Sequence, residues 1–211
     1  MAKLKIFTFP DTVLTKKASP IARVEKTVHF KLADDMLETM YDAPGIGLAA
    51  NQVGILERIL VLDTEYDYEE LPEGVSPPEG VEVVGGGVIK NRKPQIIINP
   101  QIVHKEGSIL FSEGCLSVPE YNAEVKRSEK IKLQYQDIDG VTRTLSAEGL
   151  MAVAIQHEMD HLEGRLFIDR LSPLKKEMAK KKLLKDRQQR EEDLLLGDPS
   201  ISSGKTKKKG F

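Results

Sequence analysis

Between Leu150 and Leu162 the chain reads LMAVAIQHEMDHL, a nearly unbroken apolar run without glycine or proline that carries two histidines four residues apart. The run is too long for a typical strand. Ser146-Ala-Glu ahead of it and Gly164 behind it read as the start and stop of a helix. A helix this apolar is a buried one, so the other elements must pack around it. Burying the polar groups of His157, Glu158 and His161 is costly unless something satisfies them.

Residues four apart on a helix share a face, so both imidazoles can reach one metal ion while Glu158 sits beside a water on that ion. The bland alternative is a coincidental pair of surface or core histidines. The apolar setting favours the metal, since two of only four histidines fall on this helix. A catalytic tetrahedral ion takes three protein ligands and leaves the fourth position for water. The single cysteine, Cys115, rules out an internal disulfide framework and reads as a buried filler, a reactive thiol or that third ligand. It lies in Glu113-Gly-Cys-Leu-Ser, where the glycine permits close backbone approach. His29 and His104 have no partner at ligand spacing and read as ordinary surface or core histidines.

Upstream, Val24, Val28, Leu32, Met36, Leu37 and Met40 form the stripe of an amphipathic helix over residues 24–42 that should stop near Pro44. Ile59–Leu62, Ile96–Ile98 and Ile131–Tyr135 are short, partly β-branched runs that predict strands. Residues 64–89 hold seven acidic side chains, three prolines, three consecutive glycines and no basic residue, which predicts a surface excursion or irregular hairpin. A second helix is expected from Pro173. Its residues 175–190 carry eight basic and two acidic side chains, and the lysine-rich end, 198–211, is expected to be disordered.

With 211 residues, 40% of them hydrophobic, the chain can bury one core, and residues 1–173 are expected to form one domain followed by a basic helix over 174–197. The net charge of only −2 gives no global drive toward a polyanion or a membrane. There is no secretory h-region and no apolar window of roughly 18 residues, so a cytoplasmic protein without membrane contact is expected. The fold class expected is α+β: mainly antiparallel sheets around the central histidine-bearing helix, with helices at either end.

Residues 45–52, GIGLAANQ, let a backbone pass close to a substrate or a packed neighbour, or form a tight turn. The Gly-x-Gly pair lacks a third glycine and follows no predicted strand, so no nucleotide cofactor is expected. GIGLAANQ, EGCLS (113–117) and QHEMDHLEG (156–164) together resemble, in order and in type, the three signature motifs of the peptide deformylase family. The resemblance spans about residues 4–173. It implies that Cys115, His157 and His161 hold a divalent ion, iron(II) in the cell and nickel or zinc after purification. It makes Glu158 the general acid and base, and Gln52 with the Leu116 backbone N–H the oxyanion hole. By family position Ile46, Gly47, Leu150, Val153 and Ala154 bind substrate, while Glu113 and Arg127 brace the metal site. The implied substrate is the N-formylmethionyl end of nascent proteins, and the basic helix resembles one that docks on the ribosome.

The chemistry agrees with those roles. A formamide is a poor electrophile, so its hydrolysis needs an activated water, a carboxylate that moves its proton to the leaving amine, and donors for the oxyanion. Two other classes compete. A zinc endopeptidase shares HExxH but takes its third ligand downstream of the helix, whereas Cys115 lies upstream. A non-catalytic ribosome-associated protein with a structural metal needs a fourth protein ligand, and none is evident.

Overall fold

Four consecutive apolar residues, Ile59–Leu62, form a strand that must be covered on both faces if all of them are to be buried. The computed structural model, which describes residues 3–72, 83–84 and 87–195, has that arrangement. Ile59 and Val61 pack with Met36 and Met40 of the first helix, while Leu60 and Leu62 turn to the other face and pack with Ala152 and Ile155 of the second. The elements in chain order are α1 (Lys26–Asp42), β1 (Gly47–Ala49), β2 (Ile59–Leu62), β3 (Asp67–Glu70), β4 (Val83–Val84), β5 (Gly87–Lys90) and β6 (Gln95–Glu106). There follow β7 (Ile109–Cys115), β8 (Val118–Arg127), β9 (Lys130–Gln136), β10 (Thr142–Glu148), α2 (Gly149–Leu162) and α3 (Pro173–Leu195). A five-stranded sheet in the order β1-β2-β6-β9-β10, a three-stranded sheet β3-β5-β4 and the hairpin β7-β8 are all antiparallel. The class is α+β, and α2 lies in the centre of it.

Helix α2 contributes Val153 and Ala154 to one hydrophobic cluster and Ala152, Ile155 and Leu162 to the other. That enclosure explains why its sequence shows no polar stripe. The helix ends at Gly164, whose φ of +69° lies in the left-handed region. A Cβ there would stand 2.5 Å from the Thr15 carbonyl oxygen, so glycine is required both by the backbone angle and by the close passage of the N-terminal segment.

Two expectations from the sequence need correction. Val28 is 56% exposed although it belongs to the apolar stripe, and the buried face of α1 instead runs through His29, Ala33, Met36, Met40 and Tyr41. Met36 and Met40 of the expected stripe are buried beside β2, and His29, Ala33 and Tyr41 complete the buried face in place of Val28. The excursion at 64–89 is not all surface. Tyr66, Val88 and Ile89 are buried, and the Tyr66 hydroxyl donates to the Gly45 carbonyl oxygen at 2.9 Å. With the Asp63 N–H bonded to the Ile46 carbonyl, this fixes residues 45–46 from the side of the excursion. The C-terminal helix packs on the rest of the chain: Ala179 and Leu183 are buried with Leu14, Val118 and Phe167, and Arg187 pairs with Asp11 at 2.9 Å. The Gly85-Gly86 part of the excursion and the 198–211 tail lie outside the described residues.

Replacing Gly164 by alanine should cost about 1–3 kcal/mol, because a Cβ would be strained in the left-handed region and pressed against backbone. Urea unfolding of Gly164→Ala beside wild type measures it, and an unchanged midpoint would contradict this account of the helix end.

Candidate active site

Three segments distant in sequence meet at one end of α2. The helix supplies His157, Glu158 and His161, all 1% exposed. The end of β7 supplies Cys115, also buried, and the 3-10 turn Ala50–Val53 after β1 supplies Gln52. The ligand atoms of Cys115, His157 and His161 all lie within 4.8 Å of one another, and Cys115 Sγ is 3.2 Å from His161 Nε2. A cysteine sulfur and two imidazoles at such spacing could hold a divalent transition-metal ion. Phe167, in the turn after α2, stacks on the His157 ring at 6.0 Å between centroids and limits its rotation.

Protonation fits that use. Burial, reinforced by neighbouring His157, holds His161 well below its ordinary value and so in the neutral form with a lone pair to give. Burial also opposes a charged His157, but hydrogen bonds to Cys115 and Glu113 outweigh it and push its value up to about 10. The anions that attract a proton there attract a metal cation in its place. Glu158 is pushed up to about 7 by burial, with His157 lowering it and Glu113 raising it. Its Oε2 has no hydrogen-bond partner among the described residues. A buried carboxyl poised near neutrality and open on one oxygen can take and return a proton.

The backbone around Glu158 leaves no spare room. A Cβ on Gly47 would come within 2.4 Å of Glu158 Oε1, so glycine there lets β1 run against the carboxylate. Gln52 is held by its own oxygen, which accepts the Ala49 N–H at 2.8 Å. Its amide NH2 therefore faces the site, 3.1 Å from Ser117 Oγ and 3.6 Å from Cys115 Sγ. The Ser117 N–H also donates to the sulfur at 3.4 Å.

Behind the ligands is a buried charged network. Arg127 meets Glu113 in a two-pronged pair at 2.6 and 2.8 Å, and Glu113 Oε2 lies 2.8 Å from His157 Nδ1. The third nitrogen of Arg127 donates to Asp160, which Arg170 grips from the other side. Burial alone would raise both carboxyls. Arg127 and His157 beside Glu113, and Arg170 and Arg127 beside Asp160, outweigh it and hold them below their ordinary values of 4.5 and 3.8.

Most of the residues singled out in the sequence thus converge. Ile46, Val153 and Ala154 share one buried cluster against which Leu116 packs, and Gly47 touches Glu158. Leu150 does not join them; it is 38% exposed on the first turn of α2. His29 is buried in α1 and bonded within its own turn, and His104 is exposed on β6, both remote from the ligand set. The sequence reading missed Ser117, Asp160, Phe167 and Arg170. Asp160 and Ser117 sat inside quoted motifs, three residues after His157 and two after Cys115, but nothing in their spacing named a partner.

The fold and this constellation define a metallohydrolase, with a Cys-His-His donor set beside a buried carboxylate. The chain belongs to the polypeptide deformylase family, whose profile matches residues 3–177. Peptide deformylase 2 of Xanthomonas axonopodis pv. citri is 47% identical over 189 residues, 89% of this chain and 98% of that protein. Among solved structures, a peptide deformylase from Legionella pneumophila superposes with a TM-score of 0.71 at 38% identity, covering 90% of this chain and 98% of the other. That of Ehrlichia chaffeensis in complex with actinonin gives 0.71 at 39% identity, covering 88% and 98%.

Removing Arg127 would leave two buried carboxylates short of a counter-charge, so Arg127→Ala should destabilise the protein by about 3–5 kcal/mol at neutral pH. Glu113 and Asp160 have folded values below their unfolded ones. Their contribution is therefore present above the ordinary carboxylate range and is lost as pH falls through the depressed folded values. The deficit of Arg127→Ala should accordingly shrink as unfolding is followed from pH 7 down to about 3. An equal deficit across that range would argue against an ionic role.

Proposed function

We propose that this chain removes the N-formyl group from the N-terminal formylmethionine of nascent proteins and releases formate, with Cys115, His157 and His161 holding one divalent ion. The observation that carries the reading is the compact ligand set beside the unpartnered Glu158 oxygen, in a member of the polypeptide deformylase family. When bound, the ion supplies a Lewis acid that activates water at neutral pH. Iron(II) is the ion we assign in the cell, with nickel or zinc its replacements in purified protein. The donor set by itself does not choose among them.

Glu158 accepts the proton of the attacking water and delivers it to the amine as the formamide C–N bond breaks. A value near neutrality lets it do both. The Gln52 NH2, turned inward because its oxygen is occupied by Ala49, and the Leu116 N–H donate to the tetrahedral oxyanion. Glu113 orients His157 through the Nδ1 contact, and Arg127 keeps Glu113 ionised and in place. Ile46, Gly47, Val153 and Ala154 form the apolar side that receives methionine, with Leu150 at its exposed margin. Residues 1–173 make the catalytic domain, and 174–197 a basic extension. We place the enzyme in the cytoplasm, where nascent chains are exposed. Among the described residues no helix is long and apolar enough to cross a membrane.

Anaerobically iron-loaded protein should release formate from a formyl-Met peptide and leave the acetylated peptide intact, which separates it from an endopeptidase. Glu158→Ala should lose turnover while keeping its metal, and Gln52→Leu should lower kcat by about 100- to 1,000-fold. Glu113→Ala should lose metal more readily as well as rate. A metal-replete wild type that releases no formate would sink the assignment.

The basic helix favours one further partner. Lys175, Lys181, Lys182 and Lys185 are exposed on α3, and of these Lys182 alone has an ion-pair partner among the described residues, Asp186. We assign this face to ribosomal RNA. Replacing Lys175, Lys181 and Lys185 with glutamate spares the buried Ala179 and Leu183, so folding should persist while ribosome binding and its steep salt dependence are lost. A salt-insensitive interaction would contradict the assignment.

A further inference from the structure

A cavity of about 520 Å³ opens on the side of α2 adjoining the ligand-bearing face, between that helix, the base of the β7-β8 hairpin and the end of β6. Its lining carries Lys105, Lys126, Arg127, Arg165 and Arg170 against two acids, Asp160 and Glu163. Both acids are already spoken for. Asp160 is held by Arg127 and Arg170, and Glu163 lies 2.7 Å from Lys17 and also pairs with Arg58. Lys105, Lys126 and Arg165 have no ion-pair partner among the described residues, though the chain as a whole is slightly acidic. One further acid nearby, Glu129, sits against the Gly107 turn and is not part of the lining.

Three uncompensated cations around one concavity, with Ser108 and Ser128 also in its wall, are an arrangement for a multiply charged oxyanion. The guanidinium of Arg165 can meet two oxygens of such a group, and the lysines can add point charges. We propose that this cavity binds a phosphate group. The volume exceeds what a bare phosphate needs and falls in the range of small-ligand sites, so the phosphate can bring an attached sugar with it. That chemistry has two sources, a free phosphate monoester or the backbone of RNA. Neither requires the catalytic groups, because none of the ligand residues and neither Glu158 nor Gln52 lines the cavity.

The test uses the metal-loaded full chain at fixed ionic strength, titrated by calorimetry with inorganic phosphate, with AMP and with a short single-stranded RNA lacking terminal phosphates. Phosphate or AMP should bind, and the double variant K105A/K126A and the single variant R165A should each weaken binding tenfold or more while formate release stays within twofold of wild type. Glu158→Ala should bind as wild type does, so failure of the deformylase reading and failure of this one are distinguishable. RNA binding that is lost in the same variants and displaced by phosphate identifies the backbone as the source, and binding confined to the small molecules identifies a monoester. Either result supports the site. Phosphate binding that matches a chloride control, or that survives all three substitutions because it occurs at the metal, overturns it.

Discussion

The buried pairing of Arg127 with Glu113 and Asp160 is the interaction on which the rest of the site depends. A guanidinium and two carboxylates have been withdrawn from water, and such groups persist in the interior only when each satisfies the others. Because Glu113 is on β7, Arg127 on β8 and Asp160 on α2, their mutual need locks the hairpin against the helix. That lock brings Cys115 to the two histidines. Glu113 then reaches His157 Nδ1, so the same charges that fasten the scaffold also set the orientation of the His157 ring.

Enclosure of α2 has a second consequence. A helix packed on both sides by apolar clusters offers its polar end groups a low-dielectric environment, where a carboxylate is disfavoured and hydrogen-bond donors act strongly. Glu158 is accordingly raised toward neutrality, and the Gln52 amide is fixed by the Ala49 N–H. The close run of β1 at Gly47 and the Tyr66 bond to Gly45 hold the facing wall. Rate in such a site rests on groups already in position before substrate arrives.

Charge is partitioned around this centre. The pairs nearest Cys115, His157 and His161 are internal and mutually satisfied, whereas lysines and an arginine with no ion-pair partner among the described residues lie on the outer faces, in the cavity beside α2 and along α3. Arg170 belongs to both regions: it clamps Asp160 and lines the cavity. Helix α3 seals one flank of the site, since Ala179 and Leu183 pack with Val118 and Phe167, and Phe167 in turn stacks on His157.

Local chemistry was legible in the sequence wherever neighbours along the chain do the work. The i, i+4 histidines, Glu158 between them, the Ile59–Leu62 strand and the helix stop at Gly164 follow from periods and turn requirements that act over a few residues. The three motifs carried the deformylase family and with it Cys115, Gln52, Glu113 and Arg127. Tertiary structure alone decided the rest. It turned α1 to bury His29 and expose Val28, drew Tyr66 and Ile89 of an acidic stretch into the core, and left Leu150 at the margin. It also gave Asp160 its two arginines and gathered Lys105, Lys126 and Arg165 around one cavity. The reason is physical: burial and ion pairing depend on which segments meet across the core, and no local period encodes a meeting between residues as far apart as Glu113 and His157.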